Sequence, residues 1–254
     1  MQKLNSGVNV EFFDVLDSTS SEARRRASTS LPSDRYWIIA AQQNAGYGRR
    51  ARQWSSGEGD FAATLSFAPK APKHVLGQIS FIAALCVRDT IAPLLNSPVA
   101  VKWPNDILVD RAKIAGLLLE HCEYTRDGKT ETRLLVGIGI NIVSNPEGTP
   151  YPATRLSAHL ETPPTALDLL ARIDEGFWSI YAAWERQGFA GVRQEWLSHA
   201  AGLGAPISVV LPNETTDGIF ETIDENGGLV LRKGDGTRII NAGDVFFERP
   251  KASH

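Results

Sequence analysis

The sequence predicts an α+β fold: a mixed, mainly antiparallel sheet flanked by helices to about Gly202, followed by a small β-barrel. Three observations carry this expectation. Between residues 99 and 143, strand-length apolar runs are joined by short turns with no helix between them, which favours antiparallel neighbours over crossovers. Residues 75–95 and 167–184 instead repeat their apolar positions at helical spacing. Beyond Gly202 the texture changes to five short apolar runs separated by strong turn signals, and strands at that spacing fit a small barrel.

In chain order, residues 8–15 mix β-branched and aromatic side chains and read as a strand. Thr19 and Glu22 have the spacing of a capping box, predicting a helix through about Ala27. Residues 36–41 and 61–67 are strands, and between them lies a loop, residues 42–60, rich in Gly, Arg and Ser. Leu76, Ile79, Ala83, Val87, Ile91 and Leu94 mark a core helix ending near Pro93. Strands follow at 99–103, 107–109, 113–120 and 133–143, with the polar residues 124–129 as the last separator. Thr165 caps a helix that Gly188 ends, and a second helix runs from about residue 191 to 201. The final strands fall at 207–211, 218–223, 229–231, 238–240 and 245–247, so a division into residues 1–202 and 203–254 is expected.

With 26 basic and 29 acidic residues the net charge is −3, and no global field favours DNA or an anionic membrane. Any anion binding must be local. The most strongly apolar charge-free run, residues 75–87, is shorter than the roughly 18 residues of a membrane span. Neither a signal-peptide pattern nor a CxxC spacing is present, so Cys86 and Cys122 read as reduced structural thiols of a cytoplasmic protein, without a disulfide scaffold or metal site.

Three segments can carry chemistry. The first, Gln42 to Trp54, combines Gly46 and Gly48 with Arg49, Arg50 and Arg52. Its glycines allow close backbone approach, its guanidinium forks match phosphate or carboxylate oxygens, and Trp54 offers a flat face. A solvated basic loop would look the same. It lacks the Gly-Lys-Ser/Thr ending of a P-loop, and no helix pattern follows it as in a dinucleotide fingerprint. The second segment is Lys102-Trp103-Pro104-Asn105-Asp106 with Lys113 and Gly116 beyond it. A lysine in such apolar company either extends to water or meets an anion. The third, Gly137-Ile138-Gly139-Ile140-Asn141, places two glycines and an asparagine on one side of a strand, a flat shelf for a ligand or for a packed helix.

Together with the Asp17-Ser18-Thr19 entry, these segments resemble the biotin–protein ligases, in order, over most of residues 14–141 and more weakly in the C-terminal barrel. The resemblance implies a catalytic core like that of class II aminoacyl-tRNA synthetases and lipoate ligases, with an SH3-like barrel after it. It also implies the activity: biotinyl-5'-AMP forms from biotin and ATP, and biotin then passes to a lysine of a carboxylase carrier domain, such as that of acetyl-CoA carboxylase. By position, Ser18, Thr19 and Ser20 match the biotin-contacting triplet, whose third member is more often Asn. Gln43 matches the biotin pocket, and Gly46 through Arg52 match the loop that folds over biotin and adenylate, usually Gly-Arg-Gly-Arg-Arg-Gly-Arg. Here Tyr47 stands for an Arg and Ala51 for a Gly. Trp54, Lys102, Asn105 and Asn141 match the nucleotide side, and Gly116, Gly137 and Gly139 match backbone lying against ligand. Lys113 matches the lysine on the activated carboxyl and phosphate, and Asp106 is an orienting group near the carrier lysine.

Biotin's carboxylate and the α-phosphate are both anions, and Arg49, Arg52, Lys102 and Lys113 are expected to neutralise their approach. Mg²⁺ is expected to bridge the ATP phosphates with few protein ligands of its own. Only 16 residues precede Asp17, so no operator-binding domain and no DNA partner are expected. A homodimer is left open. The alternatives are a lipoate or other acyl-group ligase, a binding protein that retains biotin or adenylate, and a nucleic-acid module.

Overall fold

The structure is a computed structural model that describes residues 2–27, 35–126, 129–149 and 151–247. The chain opens with β1 (Gln2–Lys3) and β2 (Asn9–Leu16), crosses through α1 (Thr19–Ala27) and returns in β3 (Arg35–Gln43). This β-α-β connection makes β2 and β3 parallel, with Phe12 opposite Ile39. Every other strand pair among the described residues is antiparallel.

The entry to α1 differs from the capping box expected at Thr19. Ser18 precedes the helix: its carbonyl accepts the Glu22 N–H at 3.0 Å and its hydroxyl accepts that of Ser21 at 3.4 Å. The Thr19 hydroxyl is committed to Gln43, and the Glu22 carboxylate to Arg25 and Arg26, so neither is free to cap.

Next come β4 (Phe61–Phe67), α2 (Ile79–Ile91), β5 (Val99–Lys102), β6 (Asp106–Val109), β7 (Ala112–Arg126) and β8 (Lys129–Ile140). They complete an eight-stranded sheet in the order β1-β2-β3-β4-β8-β7-β6-β5. A six-residue 3₁₀ segment (Lys73–Gln78) precedes α2 and a single 3₁₀ turn containing Pro93 follows it. By length and composition the whole stretch Lys73–Leu94 could cross a membrane, yet 67% of its most apolar window is buried inside the protein. An apolar helix without a polar face belongs to a core, and α2 is this one's central helix.

The β7–β8 pair extends past the expected boundary. Residues 124–126 remain in the ladder, Tyr124 opposite Glu131, because a ribbon wetted on both faces carries polar side chains without leaving strand geometry. At the other end β8 stops at Ile140, three residues early. There Asp60 Oδ1 accepts the N–H groups of Ile142, Val143 and Ser144 at 2.8, 2.8 and 3.1 Å and draws them out of the ladder.

The cap expected at Thr165 forms, as a capping box with Asp168, and starts α3 (Ala166–Gln187), which Gly188 ends at φ 75°; α4 (Phe189–Ser198) follows. Strand alternation sorts the layers. Trp37 and Ile39 face the main core with α2 and α3, whereas Tyr36 and Ile38 face Ala23 of α1. The last strands, β9 (Pro206–Val210), β10 (Thr215–Ile223), β11 (Leu229–Lys233), β12 (Gly236–Ile240) and β13 (Asp244–Phe246), form a five-stranded antiparallel sheet ordered β12-β11-β10-β9-β13. It is not a separate island: Phe220 meets Trp196 with ring centroids 6.5 Å apart, and its buried residues join the main apolar cluster.

Candidate active site

A cleft of about 230 Å³ opens on the α1 side of the large sheet. It lies where the start of α1, the loop after β3, the ends of β5 to β8 and the start of β13 converge. Its floor is glycine. A Cβ on Gly137 would come within 2.8 Å of Ser20 Oγ, and one on Gly139 would overlap the Trp54 indole. One of the alternating glycines therefore admits the helix, and the other admits the Trp54 ring over the strand.

At one end sits a buried polar network. The Thr19 N–H donates to Gln43 Oε1 at 2.8 Å and its hydroxyl to the same atom at 3.2 Å. Thr64 Oγ1 donates to the Thr19 hydroxyl at 2.9 Å and lies 3.1 Å from Ser20 Oγ. Ser18, Thr19 and Ser20 are all buried, at the helix end where N–H groups point outward.

The glycine–arginine loop is a small hairpin. Trp54 N–H bonds Gly46 O at 2.9 Å, Gly48 N–H bonds Arg52 O at 2.8 Å, and Tyr47 bridges Gln53. Its tip puts Arg50 and Ala51 at φ 55°, the left-handed region. The Tyr47 hydroxyl donates to Glu120 Oε2 at 3.0 Å; burial, and then the Glu120 charge, push that phenol up, so it remains a donor. Arg49 reaches Asn105 Oδ1 at 3.4 Å and Gly243 O at 3.3 Å, while Arg50 and Arg52 both pair with Asp244. Trp54 Nε1 is buried without a hydrogen-bond partner, a donor available to an oxygen brought into the cleft.

The cationic end is built on β5 to β7. Lys113 Nζ lies 2.6 Å from Asp106 Oδ1 and 5.6 Å from the Trp54 ring centroid. Its backbone is held on both sides by the segment before α3, Lys113 N–H to Pro152 O at 2.7 Å and Thr154 N–H to Lys113 O at 2.9 Å. Lys102 does not extend to water, although β5 is the sheet's edge strand. It is 4% exposed, its Nζ 3.6 Å from the Tyr151 ring centroid and 4.0 Å from Asp106 Oδ2. Burial brings its pKa down to about 8 from lysine's ordinary 10.5, partly offset by Asp106. Burial likewise pushes the Arg49 guanidinium down, within a range where it stays charged. Asn141 turns its amide to Thr154 O at 2.9 Å, tying the end of β8 to the same segment that holds Lys113.

Of the residues singled out from sequence, Ser18, Thr19, Ser20, Gln43, Tyr47, Gly48, Arg49, Arg52, Trp54, Lys102, Asn105, Asp106, Lys113, Gly116, Gly137, Gly139 and Asn141 all line this cleft. Gly46 and Arg50 do not. Gly46 closes the base of the hairpin, where a Cβ would meet Trp54 O at 2.5 Å, and Arg50 pairs with Asp244. Sequence reasoning missed Tyr151 and Asp244, which also line it. The signals were faint: an aromatic between two prolines, and an acid in what read only as a turn.

Known proteins place this geometry. The model of the biotin/lipoate A/B protein ligase family matches residues 12–141, and that of the biotin protein ligase C-terminal domain matches residues 202–248. A biotin–[acetyl-CoA-carboxylase] ligase of Paracoccus denitrificans is 37% identical over 246 residues, 91% of this chain and 97% of its own. A bifunctional ligase/repressor of Bacillus subtilis is 29% identical, over 94% of this chain and 74% of its own. The structure of a biotin protein ligase from Aquifex aeolicus in complex with biotin and ATP shares the fold, with a TM-score of 0.78 at 23% identity over 94% of this chain and 97% of that one. With a family model matching half of its length and a relative of this identity matched almost end to end, the chain belongs to the biotin/lipoate A/B protein ligase family.

Proposed function

We propose that the chain is an ATP-dependent biotin–protein ligase. It forms biotinyl-5'-AMP from biotin and ATP and transfers biotin to a lysine of a carboxylase carrier domain in the cytoplasm. One observation carries the reading: Arg49, Lys102 and Lys113 converge on a cleft whose opposite end is a neutral network of hydroxyls and an amide. A ligand with a urea at one end and a carboxylate at the other fits that polarity, since hydroxyls both donate and accept.

In the first step a carboxylate oxygen of biotin attacks the α-phosphorus and pyrophosphate leaves. Lys113, Arg49 and Lys102 stabilise charge accumulating on the phosphoryl oxygens, so no protein nucleophile is needed. Arg52 lines the cleft beside them, and Trp54 Nε1 is the unpaired donor for a ligand oxygen. In the second step the carrier amine attacks the acyl carbon, AMP departs with the acyl–oxygen bond broken, and the amine's proton passes to solvent; Asp106, held by Lys113, orients the incoming amine. Bound Mg²⁺ would supply charge neutralisation on the ATP phosphates. Among the described residues no group of three His, Cys, Asp or Glu could hold a metal, so the nucleotide would carry the ion, and Asp106 and Asp244 are the carboxylates of the cleft lining that would help to hold it. Residues 1–202 supply this chemistry, and residues 203–254 contribute the Asp244 contact to the loop.

The test is to incubate the protein with ATP, Mg²⁺, labelled biotin and a biotin carrier domain. Label on the carrier lysine is expected. Tight biotin binding with an unlabelled carrier supports a binding protein instead, and label from lipoate in preference to biotin supports a different acyl ligase.

A further inference from the structure

Glu120 lies outside the cleft lining yet holds the near flank of the hairpin over it. It sits on β7 two and four positions beyond Leu118 and Gly116 and shares their face. One carboxylate oxygen takes the Tyr47 hydroxyl at 3.0 Å, and the other takes Arg24 Nη2 of α1 at 2.8 Å. Glu120 is thus gripped from behind by a helix while it grips the loop in front. Because Tyr47 is bridged to Gln53 within the hairpin, its hydroxyl tethers Arg49, Arg52 and Trp54 together. The far flank is held differently: Arg50 and Arg52 rest on Asp244, an ion pair that nucleotide phosphates compete for. The near flank, a phenol donating to a carboxylate, offers a phosphate no loop cation to draw away.

We propose that Glu120 is a positioning residue that acts through Tyr47, keeping the hairpin shut over the acyl-adenylate when phosphates draw Arg50 and Arg52 from Asp244. The proposal rests on the ligase reading above. The acyl-adenylate is a mixed anhydride: water adding to its acyl carbon breaks the carbon–oxygen bond, AMP leaves, and the protons go to solvent. A hairpin that opens early therefore loses the activated acyl group by hydrolysis or escape.

The experiment uses the full chain with Tyr47→Phe, Glu120→Ala, Glu120→Gln and the double variant Tyr47→Phe/Glu120→Ala. Trypsin cleavage after Arg49, Arg50 and Arg52 is timed in the free protein, and loss of labelled biotinyl-adenylate is timed after loading with biotin, ATP and Mg²⁺. Tyr47→Phe and Glu120→Ala are each expected to speed both processes about fivefold, the ratio set by a hydrogen bond of roughly 1 kcal/mol. Glu120→Gln, which keeps an accepting oxygen, stays within about twofold of the parent, and the double variant matches the singles. Unchanged tryptic rates overturn the tether whatever the substrate. Faster cleavage with unchanged loss of adenylate overturns the positioning role, and multiplying effects in the double variant overturn action through Tyr47. If the parent forms no biotinyl-adenylate, the ligase reading falls, and with it the role proposed for Glu120.

Discussion

Lys102 carries a cost that can be measured apart from its function. Its side chain is 4% exposed, under the Tyr151 ring, and its pKa falls from 10.5 to about 8. That fall corresponds to about 3 kcal/mol of destabilisation of the folded, charged state. The unfolded chain keeps the lysine proton up to about pH 10.5, whereas the folded protein releases it near pH 8. Between these values the unfolded state binds more protons, so rising pH stabilises the fold; below pH 8 the full cost is in place. Lys102→Met fills the same volume without a charge. It should be more stable than the parent at pH 7 by up to about 3 kcal/mol, and that advantage should shrink by about 2 kcal/mol by pH 9.5. Urea unfolding of both proteins at the two pH values measures the difference, which cancels every other titration. A gap that stays constant with pH, or grows in the alkaline direction, refutes burial as the cause. The same variant should form biotinyl-adenylate far more slowly at pH 7, making Lys102 a residue that lowers stability where it serves chemistry.

Lys113→Ala should lower pyrophosphate release at least about 100-fold while shifting the unfolding midpoint little, since the side chain is 29% exposed; an unchanged release rate would remove it from the mechanism. Gly139→Ala places a methyl group in the Trp54 ring, and the ring's displacement should weaken biotin binding by about 1–3 kcal/mol in titration calorimetry. Equal affinity would show that the ring's seat on the strand is unimportant. Ala51→Gly removes a left-handed penalty of about 1 kcal/mol at the hairpin tip and should slow tryptic cleavage of the free loop several-fold, whereas faster cleavage contradicts the strained tip.

Periodicity exposed the elements whose burial is one-sided or complete. The apolar spacing of α2, the cap at Thr165 and the four turns of the C-terminal sheet follow local rules and lie close to where the sequence puts them. The outer half of the β7–β8 ribbon was illegible because both its faces meet water, which erases the alternation that a strand normally shows. Within the site, glycines and cations could be read because each is unusual in its own segment. Tyr151 and Asp244 could not, since their importance comes from partners distant in sequence: Asp244 meets Arg52 across 192 positions. The capping at α1 was misplaced by one residue for a similar reason, as the Thr19 hydroxyl is claimed by Gln43 24 positions away.

The pairing of Arg50 and Arg52 with Asp244 has a consequence for synthesis. A chain made from its N-terminus exposes the glycine–arginine hairpin early, but Gly243, Asp244 and Phe246 emerge some 190 residues later. Until then Arg50 and Arg52 have no carboxylate from β13, and Lys102 has only part of its aromatic surroundings. The nascent chain therefore carries Arg50 and Arg52 without their carboxylate partner until β13 is made. Chemistry on biotin therefore waits for β13, the strand that completes the cleft's lining.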